Sequence, residues 1–533
     1  MRDKTSKAFP LWRILAAFLA VSVLLVCALF GGGALVSRSP AVTLTATPAD
    51  TPKSPSPVPS PTPSPPPTAT PPRRPTPTAP LATPLAAVTE APVVTETTPA
   101  TPRPSPTAGP TFTPAPPPVA VWEGTITLPT YGWEQALVPT TPEDLAYPYP
   151  RLDFEALTGP VPRTYTAVFV QNEAVQLVVV PELGGRILRW TDRTTGRQLF
   201  YANPVVKPTR WGYRGWWFAT GGIEWAFPTE EHGLNEYRPW EYQLLWNGVR
   251  VWDTEDRTGM TVEVTIQLTA GSSRVAITPH ITNPTDQPQS FQFWANAMLT
   301  LSDANVPSSD LTFILPASQV VLHSTGDGSL PAPGSTMDWP VHAGRAFSRY
   351  PEWRSYLGVF APQAADAGFA GAYDLGTDQG IIRVAPSWVR GVKIFCLGDL
   401  GSELWTDDGS RYFELWGGLT PTFWDETTLQ PGGSVAWTEH WYAVSGMGGA
   451  TWANAEAAVR LAPAGDGAQV AVETVTPRQV TVVLRRGGVE VGRWETTVGP
   501  GQPLRTTSGG GGSGAWGLQV FDSTGALLIQ VGP

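Results

Sequence analysis

The chain has 533 residues, among them 58 Pro and 53 Gly, with only 15% charged. Its formal charge of −10 becomes −15 once residues 1–120 are set aside, since the first 40 carry a net +4 and the next 80 a net +1. An acidic globular part argues against a nucleic-acid partner, whose phosphates need a basic surface. Two cysteines, Cys27 and Cys396, and five His exclude a disulfide framework and a Cys-based or His-rich metal site, so neither metal nor other cofactor is expected.

In chain order the first element is a membrane segment. Ile14 to Val36 are 23 residues without a charge, enough to cross ~30 Å of hydrocarbon as a helix. Arg2, Lys4, Lys7 and Arg13 precede it. By the positive-inside rule residues 1–37 are a cytoplasmic tail and signal anchor, and everything beyond lies outside the cell. A cleaved signal peptide fits less well, because the apolar run exceeds the usual h-region. Residues 38–120 follow as a Pro/Thr/Ser-rich linker, with 26 Pro between positions 41 and 120. Proline fixes φ and donates no hydrogen bond, so a disordered, extended stalk is expected, exposed to protease on intact cells.

From residue 121 to about 450 the pattern is short strands broken by turns. Thr164–Val180 reads as a hairpin around Gln171-Asn172-Glu173, and Met260–Leu268 with Arg274–Ile281 as another. Gly380–Val384, Gly391–Leu397, Arg411–Trp416 and Ser434–Val444 read as later strands. Many short strands without an internal repeat favour one large antiparallel sandwich over a propeller. Residues 451–533 look like a second unit: one short helix over Trp452–Leu461, then a small immunoglobulin-like or fibronectin-like β-sandwich. The closing strand and the Gly-rich break after it predict that the domain ending near 450 folds alone.

Three stretches exceed strand filler. Val180 to Leu188 reads VPELGGRIL, Arg214 to Pro228 reads RGWWFATGGIEWAFP and closes with Glu231-His232-Gly233, and Tyr412 to Gly418 reads YFELWGG. In that order they resemble the galactose mutarotase-like (aldose 1-epimerase-like) superfamily. They are most similar to a bacterial domain family of unknown function that carries such PELGGRI and GGIEW-FP…H stretches, often ahead of tetratricopeptide repeats; none follow here. The resemblance covers about residues 145–445 and implies a large β-supersandwich acting on sugars. It implies a general acid at His232 and a base at Glu414. Asn296 stands where epimerases carry a second His. An amide hydrogen-bonds a hydroxyl but carries no proton, which favours binding over epimerisation.

The candidate catalytic residues are therefore His232, Glu414 and Glu224. Arg214, Trp216, Trp217, Trp225, Asn296 and Trp416 are the candidate sugar-binding set. Twenty of the 23 Trp lie between residues 122 and 452, more than a core wants, and partly exposed indoles stack on sugar faces. For each residue a structural role stays open: Glu224 as a buried acceptor for Arg214 or backbone amides, Glu414 as an ordinary strand carboxylate, the indoles as packing. His280, His323, His342 and His440 read as surface or packed residues. The expected function is a membrane-anchored, monomeric, extracytoplasmic carbohydrate-binding protein. An epimerase-like enzyme, a glycoside hydrolase or lyase on the same residues, and a structural envelope protein are the alternatives. His232, Glu224 and Glu414 are expected to share one cleft floored by Trp216, Trp217 or Trp225.

Overall fold

The computed structural model describes residues 119–509 and 513–533. The expected anchor over residues 14–36 and nearly all of the 38–120 stalk lie outside the described residues. Among the described residues no helix is long and apolar enough to cross a membrane. The one α-helix among them is Pro362–Ala367.

The rest is antiparallel β-structure. Thr261–Leu268 and Val275–Thr282 alternate buried and half-buried positions, as strands do with one face in a core and one toward water. They pair in register, Ile266 opposite Ile277, inside a nine-stranded sheet running from Glu241–Leu245 at one edge to Leu311–Ile314 at the other. A twelve-stranded sheet runs from Ala120–Gly132 to Thr336–Asp338. Val168, Leu177, Ile223, Ala295 and Leu415 of the larger sheet and Val251, Val264, Ile277, Ile381 and Trp441 of the smaller belong to one buried apolar cluster. The two sheets thus form a large β-sandwich, the expected fold class for this part of the chain. The 164–180 hairpin is present, with Asn172 Oδ1 capping its turn by accepting from Ala174 N and Val175 N.

Five strands of the larger sheet position the site. They are β1 (Arg186–Asp192), β2 (Gly222–Ala226), β3 (Trp294–Leu299), β4 (Gly391–Cys396) and β5 (Phe413–Gly418). Their order across the sheet is β1-β2-β3-β5-β4, all antiparallel. β2, β3 and β5 are buried at every position. One face fills the sandwich core and the other is roofed by loops, so polar residues on the roofed face are held away from bulk water. Gly222 (φ 77°) is required where β2 meets β1, because a Cβ there would lie 2.0 Å from the Ile187 carbonyl oxygen.

Residues 452–531 form two four-stranded sheets around a separate apolar cluster that includes Val459, Val470, Val482 and Val520. The short helix expected over Trp452–Leu461 is instead a hairpin. Asn454 Oδ1 accepts from Glu456 N and Ala457 N, closing a turn between Trp452–Ala453 and Ala457–Ala464. Such a side-chain bond offers the backbone an alternative to the helical ladder, and the local apolar spacing did not reveal it.

A further apolar cluster joins the large sandwich to this module: Phe369, Tyr373, Ile382, Tyr442 and Val444 pack with Ala458, Ala471 and Val475. Glu473 carboxylate oxygens accept from Ser445 N and Gly501 N, each at 2.8 Å. Truncation after residue 450 would bare that cluster. The chain ending at residue 450 is expected to show a lower urea midpoint than the full chain, read by tryptophan fluorescence; equal midpoints would show that the shared cluster adds no stability.

Candidate functional site

Strand register writes the site. Glu224 of β2 lies opposite Asn296 of β3, Asn296 opposite Trp416 of β5, and Trp416 opposite Lys393 of β4. The neighbouring row is Gly222, Met298, Glu414 and Phe395. Side chains alternate along a strand, so these two rows share the roofed face, while Ile223, Ala297, Leu415 and Ile394 point into the sandwich core.

The polar members of these rows are joined by hydrogen bonds. Asn296 Nδ2 donates to Glu224 Oε1 at 2.9 Å and to Glu414 Oε1 at 3.4 Å, bridging the two carboxylates. Trp416 Nε1 donates to Glu414 Oε2 at 2.8 Å. His232 arrives from the loop after β2. Leu234 N donates to Phe227 O at 3.0 Å, and at Gly233 (φ 62°) a Cβ would lie 2.7 Å from Phe227 N, so glycine lets the loop fold back over its own strand. This brings His232 Nδ1 to 2.7 Å from Glu224 Oε1. The Trp217 indole stacks on the imidazole, with interplanar angle 9°.

Beneath this layer is a buried chain of alternating charges. Arg186 of β1 is fully buried; its Nη2 donates to Glu224 Oε2 and to Glu236 Oε2, both at 3.3 Å, and its Nη1 to Phe218 O at 3.1 Å. Arg214 completes the chain by donating to Glu236 Oε1 and to Leu234 O. Two arginines against two carboxylates make the chain electrically neutral, which is the condition for burying it.

Burial dominates the titration of the site. It pushes His232 down to about 4 against the opposing pull of Glu414 and Glu231. It pushes Glu414 up, opposed by His232 and Lys393, and Glu224 up, opposed chiefly by Arg186. His232 is therefore neutral at pH 7. With Glu224 ionised, the 2.7 Å contact takes the imidazole proton on Nδ1, and Nε2 has no partner among the described residues. The sign follows: an imidazole whose folded value lies below its free value adds stability that is lost as pH falls from 6.5 toward 4. NMR titration of the His232 ring is expected to show a neutral Nδ1–H imidazole down to about pH 4; a midpoint near 6.5 would contradict this environment.

A cavity opens on this face, lined among others by Trp211, Glu231, His232, His323, Lys393 and Glu414. Glu224, Asn296, Trp217 and Trp416 stand directly behind His232 and Glu414. The remaining expected residues do not reach it. Arg214 is buried between the Trp216 and Tyr237 rings, each centroid 4.2 Å away. Trp216 donates to Pro150 O, and Trp225 faces the sandwich core and donates to Gly185 O. The indoles singled out for stacking, Trp216, Trp217, Trp225 and Trp416, are all buried. The exposed indoles nearby are Trp211 (51%) and Trp424 (55%), each set among turn residues rather than inside a strand. Flanking residues were the available signal.

Three further residues matter. Lys393, within GVKIFC, is a single cation inside an otherwise apolar strand, which is how a buried functional or structural charge reads in sequence, whereas Arg186 opens RILRWTD beside Arg189 and Asp192 and gives no such signal. His323, expected at the surface or in packing, lines the cavity 3.6 Å from Glu231 Oε1. Among the described residues no group of three His, Cys, Asp or Glu side chains is placed to hold a metal ion. Cys396 is buried with a free thiol.

Residues 143–444, more than half of the chain, match the family model described as "Domain of unknown function (DUF5107)". Among solved structures, the chain is similar to a TPR-domain containing protein from Parabacteroides distasonis ATCC 8503. The identity is 24% and the TM-score 0.54, over 62% of this chain and 56% of that one. The chain thus matches little more than half the length of that protein, and the likeness is one of fold. A galactose mutarotase related enzyme from Lactobacillus acidophilus matches at 12% identity and TM-score 0.38, over 52% of this chain and 97% of that one. A galactose mutarotase-like protein from Lactobacillus casei ATCC 334 matches at 13% and 0.35, over 52% and 99%. The kinship expected from the PELGGRI and GGIEWAFP stretches is borne out: the chain belongs to the DUF5107 family.

Proposed function

We propose that the cavity is a carbohydrate-binding site, held outside the cell on a single membrane anchor. The convergence of His232 and Glu414, from distant parts of the chain, on one cavity supports this reading more than any other observation. A sugar ring offers hydroxyl donors and acceptors around an apolar face. The cavity answers with an acceptor at His232 Nε2, an acceptor carboxylate at Glu414, a donor at Lys393, and the exposed Trp211 indole at its rim. Mixed polar groups in a mostly apolar concavity suit a neutral or singly charged polyhydroxylated ligand. The uncharged run from Ile14 to Val36 supports the anchor, and the proline-rich stretch after it supports a stalk.

A second reading, proton transfer on the bound sugar, is favoured by the shifted titration of His232 and Glu414, which places an unprotonated imidazole and a carboxyl of raised pKa side by side. Asn296, bridging the two carboxylates, weighs against it because an amide relays no proton.

A glycan array probed with the full chain in detergent, followed by polarimetry on each sugar retained, tests both. Retention of one or more sugars with unchanged optical rotation supports binding alone. Accelerated mutarotation supports the second reading. An array without any retained sugar overturns the carbohydrate assignment. For the topology, external protease on intact cells is expected to release a folded fragment beginning near residue 120; a globular part protected from that protease would overturn it.

A further inference from the structure

Resting on the sugar reading of this cavity, we propose that its ligand is a sugar bearing an anionic substituent, recognised by the Lys393 ammonium. The Lys393 side chain lines the cavity and the residue is 2% exposed. Its ammonium lies 4.2 Å from the Phe423 ring centroid, 4.5 Å from that of Trp416 and 5.3 Å from that of Phe395. Aromatic faces attract a cation but leave the three N–H donors unfilled. Among the described residues no acceptor is hydrogen-bonded to it and no carboxylate lies within ion-pair distance.

The other buried cations nearby are each paired with a carboxylate. Arg186 has Glu224, Glu236 and three carbonyls; Arg214 has Glu236 and two carbonyls; Arg383 has Glu439 and one carbonyl. Of the carboxylates facing the cavity, Glu414 accepts from the neutral donors Trp416 and Asn296, and Glu231 lies 3.6 Å from His323, which burial keeps neutral. The Lys393 ammonium therefore stands out at the cavity wall as a buried cation whose donors are not filled. A buried ammonium without an acceptor is costly, and a ligand oxygen anion removes that cost. A uronate carboxylate and a sugar phosphate supply the same chemistry.

The charge is also conditional. The titratable groups facing Lys393 are Glu414 from β5, Glu231 and His232 from the loop after β2, and His323 from Gln319–Thr325. Burial lowers the amine to about 8 against the pull of Glu414 and Glu231. The ammonium is therefore present at pH 6 and is lost as pH rises through about 8, and the preference for anions should fade with it.

Calorimetric titration of the full chain in detergent at pH 6 tests this with galacturonate, galactose 6-phosphate, galactose and acetate. The expected result is at least tenfold tighter binding of one charged sugar than of galactose, with uronate or phosphate identifying the group. Lys393→Met should erase that difference, weakening the charged sugar at least tenfold more than galactose, with thermal stability kept, and Lys393→Arg should retain it. Galactose binding as tightly as both charged sugars, or a preference that survives Lys393→Met, overturns the inference and leaves the sugar reading standing. Acetate binding that requires Lys393 without any sugar binding supports the anion site and defeats the sugar reading. Absence of binding by all four probes defeats both.

Discussion

Replacing Arg186 by methionine should lower the free energy of unfolding by about 3–5 kcal/mol, the range for breaking a buried ion pair by removing one partner. The guanidinium is fully buried and reaches Glu224, Glu236 and the carbonyls of Leu183 and Phe218 at once. Methionine fills much of the same volume, so the loss would come from charge and hydrogen bonding, not from a cavity. Glu236 would keep Arg214, whereas Glu224 would keep only Asn296 and a neutral His232. Glu224 would then protonate, and the fixed Nδ1–H tautomer of His232 would lose its acceptor. Lysine at 186 should recover only part of the loss, since one ammonium cannot serve both carboxylates and the carbonyls. Urea unfolding of the full chain measures it; a loss under 1 kcal/mol would show that the charge chain is not what holds this part of the sheet.

The second large effect concerns ligand. Glu414→Gln should weaken binding of a retained sugar by about 1–3 kcal/mol, roughly 5–150-fold, the cost of leaving a buried partner poorly matched. Glutamine keeps the shape and one acceptor oxygen. The Trp416 indole and the Asn296 amide both point N–H groups at this side chain, so its new NH2 meets at least one donor. His232→Ala should act in the same direction by removing the Nε2 acceptor and baring the Trp217 face. If the site moves protons, both variants also lose mutarotation; if it only binds, affinity alone changes. Unchanged affinity in both variants would remove these residues from the site.

Much of the architecture was legible because antiparallel strands with one wet face alternate in sequence, as Thr261–Leu268 and Val275–Thr282 do. The clustering of Glu224 with His232 was legible because only eight residues separate them, with Pro228 and Gly233 marking a turn back on the strand. Glu414 was legible only through the resemblance. The burial of Trp216 and Trp225, expected to stack on sugar, was not legible, because burial of an indole is decided by which elements cover it. Lys393 was missed for a related reason. It enters the site through cross-strand register, Glu224 to Asn296 to Trp416 to Lys393, set by pairings between segments far apart in the chain.

The central claim is that the cavity between His232, Glu414 and Lys393 holds a sugar. Diffraction from crystals of the protein grown with a sugar retained on the array tests it most directly. The expected result is a sugar ring within hydrogen-bond distance of Glu414 and His232 Nε2, with Trp211 against its apolar face and any anionic group on Lys393. A sugar bound elsewhere on the protein, with this cavity holding only solvent, would contradict the account.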